Sequence, residues 1–249
     1  MTPDPISEID LTTLLPGQIV QLFNTYRGIP ITTDARLLAK QDSCLVLQVD
    51  PRQAVCLFLD SKTCLFDPAT AKALDCAVLG LDITSLEATI ADFHIDPCPE
   101  KRTTVRVQPE EIIEVTLTLE GCTLTAKLAD VSQVGLGLFS FDTYIYCEGG
   151  FNEGAPVSAS LRLPGVNDVI QCEGRIVHAF RRIDPRLHRL GIQISPDSTS
   201  LALLQQYIDQ RVWELNHELQ FIYESMLAAR TQEAMNGDKK TSHQLRTIQ

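Results

Sequence analysis

Arg102 and Arg106 stand four positions apart in the stretch "KRTTVRVQP", residues 101–109, with Pro97 and Pro99 before them and Pro109 closing the run. Proline fixes its own φ and pushes its predecessor toward extended backbone, so this segment reads as an exposed tether and not as a helix. Two planar guanidiniums on such a tether suit the grip of phosphates or of a purine edge through paired N–H donors. Taken alone, the spacing is equally that of two solvated arginines in a linker. Some two dozen residues further on, "DVSQVG" places Asp130, Ser132 and Gly135 at D-x-S-x-x-G spacing. A carboxylate accepts paired N–H groups, a hydroxyl donates or accepts, and a glycine admits tight backbone approach. Each of the three could also cap a turn at a strand end or mark a bulge.

Charge limits the partners. The 249-residue chain has a formal net charge of −11. Residues 1–100 hold six Lys and Arg against fourteen Asp and Glu, residues 101–197 hold ten against twelve, and the remainder five against six. Nucleic-acid phosphates demand a broad basic surface, which this chain lacks, whereas a local arginine cluster can hold one small anion. The reading is therefore a small ligand and no nucleic acid. No apolar run approaches the roughly 18 residues of a membrane span, and "MTPDPISEID" lacks the basic start and apolar core of a signal peptide, which leads us to expect a cytoplasmic protein without membrane insertion. The eight cysteines occur singly, with no C-x-x-C pair, and read as reduced, mostly buried small apolar residues.

The elements that must position these residues come next. In the first hundred residues "QIVQLF", "RLLAKQDSCLVLQVD" and "AVCLFLD" are short apolar or alternating stretches separated by turn chemistry, the pattern of a small β-rich domain. The alanines and leucines of "DPATAKALDCAVL" suggest a short helix within it. Around "DFHIDPCPEKR" prolines and polar residues replace the strand pattern, as at an inter-domain linker. Beyond residue 111 the strand signals sharpen. "EVTLTL" alternates, Glu120-Gly121 offers a turn, and "CTLTAKLADVS" returns as a partner; "GLGLFS", "PVSASLRL", "VIQCEGRIVHAF" and "RLGIQIS" follow, the last two joined through "RRIDPRLH". Five or six antiparallel strands so closely spaced suggest a small closed barrel.

After Ser195-Pro196-Asp197-Ser198 the period changes, with apolar residues at Leu201, Leu204, Ile208, Val212, Leu215, Leu219, Ile222 and Met226. This is one long amphipathic helix whose seam must bury against the barrel or against another copy. Since it runs for roughly four heptads, about 40 Å, a homo-oligomer through this helix is expected. The expected division is a β domain over 1–98, a barrel with its arginine linker over 99–197, the helix over 198–235, and a disordered tail over 236–249. The fold class is mainly β: two small antiparallel barrel-type domains and a C-terminal helix.

The arginine pair followed by D-x-S-x-x-G, in that order and at the edge of a barrel, resembles the PilZ domain, and the whole layout is similar to the YcgR-like flagellar brakes. The resemblance implies a receptor for the bacterial second messenger cyclic di-GMP, with a six-stranded PilZ barrel behind an N-terminal YcgR-like β domain. It assigns Arg102 and Arg106 to the N7 and O6 acceptors of guanine or to phosphates, and Asp130 to the guanine N1–H and N2 amine. It also assigns Ser132 to a hydroxyl contact and Gly135 to a tight turn beneath the base. Lys101 occupies the place where many members carry a further arginine, which leaves one ligand molecule or an intercalated pair open. The implied output is a change in inter-domain orientation that regulates flagellar motility through the motor or another envelope machine, with exopolysaccharide or pilus machinery as the alternative.

Arg175, His178, Arg181, Arg182, Arg186 and Arg189 form a second basic group that could line the same face. His94, Asp96 and Cys98 alternate in "HIDPC", yet three linker residues without a second cluster make a poor metal site. Trp213 lies just off the helix seam, as packing or an interface anchor. A PilZ barrel that only docks protein is the second class of function considered. An enzyme is the third, and G-x-S-x-G, H-E-x-x-H, Walker A and dinucleotide fingerprints are all missing; neither a catalytic residue, a metal nor a cofactor is expected.

Overall fold

The computed structural model describes residues 14–41, 43–67, 72–95, 104–119, 122–141, 152–166, 168–181 and 187–245. The chain forms two compact units. One comprises the N-terminal hundred residues together with the chain from Asn216 onward, and the other comprises Arg102–Leu215 with the turn Arg27–Ile29.

The first unit is built from β1 (Ile19–Tyr26), β2 (Ile29–Gln41), β3 (Cys44–Gln48), α1 (Pro51–Asp60), β4 (Lys62–Asp67), β5 (Lys72–Asp82) and β6 (Glu87–Ile95). The strands close a barrel in the order β1-β2-β3-β6-β5-β4. Alternate residues point inward, so Val20 and Leu22, Leu45 and Leu47, and Ala88 and Ile90 meet with Leu37, Leu57 and Leu65 in one core. Each fully buried Leu or Ile contributes on the order of 1.5–3 kcal/mol. One polar chain crosses this interior. The Thr33 hydroxyl donates to Gln53 Oε1, Gln53 Nε2 donates to Asn24 Oδ1, and Asn24 Nδ2 donates to the Lys62 carbonyl at 2.7 Å, so the buried amides are matched.

Two sequence expectations in this unit are corrected. "AVCLFLD" is not a strand but the body of α1. Asp50 caps that helix by accepting from the Arg52 N–H at 2.9 Å, Pro51 opens it, and Ser61 closes it in the left-handed region at φ 53°. Conversely, the Ala- and Leu-bearing "KALDCAVL" is not helical; it lies in β5, which pairs with β4 and β6 to close the barrel. Leu74 and Cys76 alternate into the core, and the gain from closure exceeds the small helix preference of alanine.

The second unit holds β7 (Glu114–Leu119), β8 (Cys122–Ser132), β9 (Gly135–Phe141), β10 (Pro156–Leu161), β11 (Ile170–Arg181) and β12 (Leu187–Pro196). They close an antiparallel barrel in the order β10-β11-β12-β9-β8-β7. Val115, Leu117 and Leu119 of β7 are buried and the residues between them exposed, the alternation read from "EVTLTL". Glu120-Gly121 and most of "RRIDPRLH" lie outside the described residues.

Helix α2 (Ser198–Leu245) follows. Asp197 caps it, its carboxylate accepting from the Ser200 N–H at 2.7 Å. The helical backbone passes the end expected at 235 and reaches Leu245, in a stretch free of proline. Leu204, Ile208 and Leu215 are buried, as is Leu219, while Tyr223 and Met226 pack against the first unit's core. Much of the seam is thus covered by the chain itself. Among the described residues, the large apolar side chains that α2 leaves exposed are Leu201, Trp213 and Phe221.

Candidate functional site

Residues 104–109 form no helix or strand, and within them Val107 is fully buried as a bridge to β8. Its N–H donates to the Val131 carbonyl at 2.9 Å, and the Val131 N–H returns a bond to the Val107 carbonyl at 3.0 Å. This pairing lays Arg106 beside the end of β8. The register of β8 with β9 shifts between Leu128 and Asp130, and such a bulge re-aims the side chain that follows it. Residues 24 apart in sequence therefore meet: Arg106 Nη1 lies 3.3 Å from Asp130 Oδ1.

A third group joins from β12. Arg189 Nη2 donates to Asp130 Oδ2, and the Arg189 guanidinium stacks 4.6 Å from the centre of the Phe139 ring. One carboxylate, its side chain 14 % exposed, is thus held between two guanidiniums. The cluster keeps a net positive charge and spare N–H donors. Arg106 Nε is buried with no hydrogen-bond partner among the described residues. In chemical terms the site offers an acceptor pair for an amidine-like N–H edge, and forked donors for purine acceptors or phosphate oxygens.

Ser132 and Gly135 close the turn between β8 and β9. Ser132 is fully buried, and its hydroxyl donates to the Gly135 carbonyl at 3.3 Å, so it shapes the turn instead of facing solvent. Gly135 has no positive φ, and it sits in a tight place: a Cβ there would lie 3.3 Å from the Ile192 carbonyl oxygen and 3.4 Å from the Ser132 hydroxyl.

Gly137, which the motif does not contain, pairs with Asp130 across the β8–β9 ladder. A Cβ at Gly137 would fall 2.5 and 2.6 Å from the Asp130 carboxylate oxygens and 2.7 Å from Arg189 Nη2. The absent side chain is the room in which the acid and arginine meet. The alternating glycines of "GLGLFS" were the available signal for this.

Lys101, Arg102, Arg182 and Arg186, together with Asp96 and Cys98, lie outside the described residues, and the side chain of Arg181 is likewise undescribed. Of the second basic group, Arg189 reaches the site. His178 is exposed with Nδ1 3.8 Å from Glu153, and Arg175 is exposed on β11. Among the described residues no group of His, Cys, Asp or Glu could hold a metal ion, and no helix is long and apolar enough to cross a membrane.

The chain is similar to the Bacillus subtilis inhibitor of motility MotI/DgrA, with 12% identity over 81% of this chain and 98% of that one and a TM-score of 0.43. It is similar to the K. pneumonia MrkH–c-di-GMP complex, with 10% identity over 81% and 90% and a TM-score of 0.43. It is also similar to Escherichia coli YcgR in complex with c-di-GMP, with 16% identity over 82% and 88% and a TM-score of 0.39. The comparison with curated proteins gives no match. Residues 100–210, which span the Arg106 segment, the barrel and the start of α2, match the PilZ domain model.

Proposed function

We propose that this protein is a receptor for cyclic di-GMP and that Arg106, Asp130 and Arg189 form the described part of its grip, with Arg102 and Lys101 completing it. One observation carries the reading: Arg106 and Asp130, each from its own half of the PilZ motif, meet at the barrel edge. Guanine presents N1–H and its N2 amine to a carboxylate, and N7 and O6 to an arginine fork. The ligand would take over Asp130 and turn the guanidiniums outward onto base acceptors and phosphates. That exchanges protein contacts for ligand contacts of the same charge-assisted kind. Ser132, Gly135 and Gly137 would hold the acid in place.

The output follows from connectivity. The arginine segment joins the two barrels in the chain, so closure on a ligand can change their relative orientation to the extent that the two arrangements differ in affinity. The N-terminal hundred residues, with their excess of eight negative charges, would then present a surface to the flagellar motor and slow swimming, with exopolysaccharide or pilus machinery as the other target. We place this action in the cytoplasm and expect no turnover of the nucleotide. Self-association through α2 would use Trp213 and Phe221, since much of the seam is already covered.

Calorimetric titration of cyclic di-GMP is the test. Micromolar or tighter binding, about −8 kcal/mol or better, is expected, with Arg106→Ala and Asp130→Ala each costing roughly 1.5–3 kcal/mol. Unchanged affinity in both variants would sink the assignment. For the output, a deletion strain with raised cyclic di-GMP should swim more slowly with the wild-type allele than with Arg106→Ala.

A further inference from the structure

The segment that carries Arg106 is pinned by its backbone on three sides within the second unit. Val107 is paired with Val131 in both directions. The Gln108 N–H donates to the Arg27 carbonyl at 3.0 Å. The Gln108 carbonyl accepts from Arg211 Nε, on α2, at 3.1 Å.

Arg211 is not an ordinary surface arginine. Its side chain is 4 % exposed, a level rare for a charged residue without partners. Nη1 donates to Glu214 at 2.8 Å and lies 3.5 Å from Glu110 Oε2, while Nη2 is buried without an acceptor among the described residues. The same guanidinium therefore touches both ends of the stretch from Gln108 to Glu110, where the segment leads on toward β7. Its own place is fixed by Tyr207 and Ile208 one turn before it and Leu215 one turn after, all buried. Holding a buried guanidinium against a backbone carbonyl is a costly way to stabilise a helix, since apolar side chains do that better. It is a good way to set the position of a short segment, because the planar fork fixes direction as well as distance.

We infer that Arg211 is a positioning residue for the nucleotide site, a guanidinium on helix α2 that holds the Arg106 segment at the place where Arg106 meets Asp130. The inference rests on the cyclic di-GMP reading for its consequence, though the pinning itself does not. A segment held in its binding conformation before the ligand arrives avoids the ordering cost at binding. Linkage runs in both directions: if α2 favours the clamped segment, a ligand on that segment tightens the docking of α2 by the same factor. The start of α2 is thereby coupled to the ligand and becomes a route for the signal.

The experiment uses the full chain with Arg211→Met, which keeps an unbranched apolar stem, and Arg211→Lys, which keeps the charge but loses the fork. Hydrogen exchange without ligand should show faster exchange at Val107 and Gln108 in Arg211→Met, with the Leu138 and Ile192 amides unchanged. Cyclic di-GMP affinity should fall at least tenfold in Arg211→Met and less in Arg211→Lys. In an Arg106→Ala background the Met substitution should cost less than twofold. A purely structural role would instead give an equal loss in both backgrounds, and that result overturns the proposal. So does unchanged exchange at Val107 and Gln108. Should the wild type fail to bind cyclic di-GMP, the functional reading falls, and the exchange measurement alone still decides whether Arg211 positions the segment.

Discussion

Gly137→Ala gives the sharpest test of the site, because it adds one methyl group and no charge. The added carbon would stand 2.5 and 2.6 Å from the two oxygens of Asp130 and 2.7 Å from Arg189 Nη2. Non-bonded carbon and oxygen rest near 3.5 Å, so something must yield by roughly 1 Å. The backbone of β9 is locked between β8 and β12, whereas the Asp130 carboxylate can swing about its χ1. It will leave both guanidiniums when it does. Stability should fall by roughly 1–3 kcal/mol, the usual cost of one extra methylene in a packed place, which leaves the protein folded. Ligand affinity should fall as well, because a displaced Asp130 forfeits a charge-assisted contact of about 1.5–3 kcal/mol, a tenfold to hundredfold loss in Kd. Gly80, with nothing within 4 Å of its Cβ position, is the control, and Gly80→Ala should bind as wild type. The assay is titration calorimetry beside a thermal melt. Wild-type affinity in a folded Gly137→Ala protein would refute the placement of Asp130.

Gly28→Ala should weaken binding without replacing any ligand residue, since Gly28 has φ +90° and its Cβ would lie 2.7 Å from the Arg106 carbonyl oxygen and displace that segment; strain of about 1–3 kcal/mol in the melt, with slower ligand association, is the expected result. Asp197 has its carboxyl held below the usual 3.8 by the Ser200 N–H, so its cap stabilises the fold above that pH and the contribution is lost as pH falls through the depressed value. Asp197→Ala should therefore melt earlier than wild type at pH 7, and the gap should close below about pH 3.8. Burial pushes the thiols of Cys56 and Cys76 up to about 12 and that of Cys172 to about 11, so a thiol reagent at pH 8 should leave these three unmodified in the native protein and reach them on unfolding.

What local pattern controls was readable without coordinates. The alternation of "EVTLTL" and its successors specified the second barrel, because one face of each strand has to be buried whatever its partner. The change of period at Ser198 specified α2 for the same reason. Arg106, Asp130, Ser132 and Gly135 were legible as a motif, since their spacing is short and their residue types have little reason to coincide. Where local preference and global pairing disagree, pairing decided. "KALDCAVL" became a strand because closure of the barrel needed one there, and "AVCLFLD" became a helix because Asp50-Pro51 and Ser61 cap it. Arg189 was legible only as one of six basic residues that could line the site face and Gly137 only as one of the alternating glycines of "GLGLFS", while nothing near Arg211 in sequence sets its role. Only register places Gly137 under Asp130, only the ladder of β9 with β12 brings Arg189 alongside, and only the packing of α2 carries Arg211 to the Gln108 carbonyl, 103 residues away.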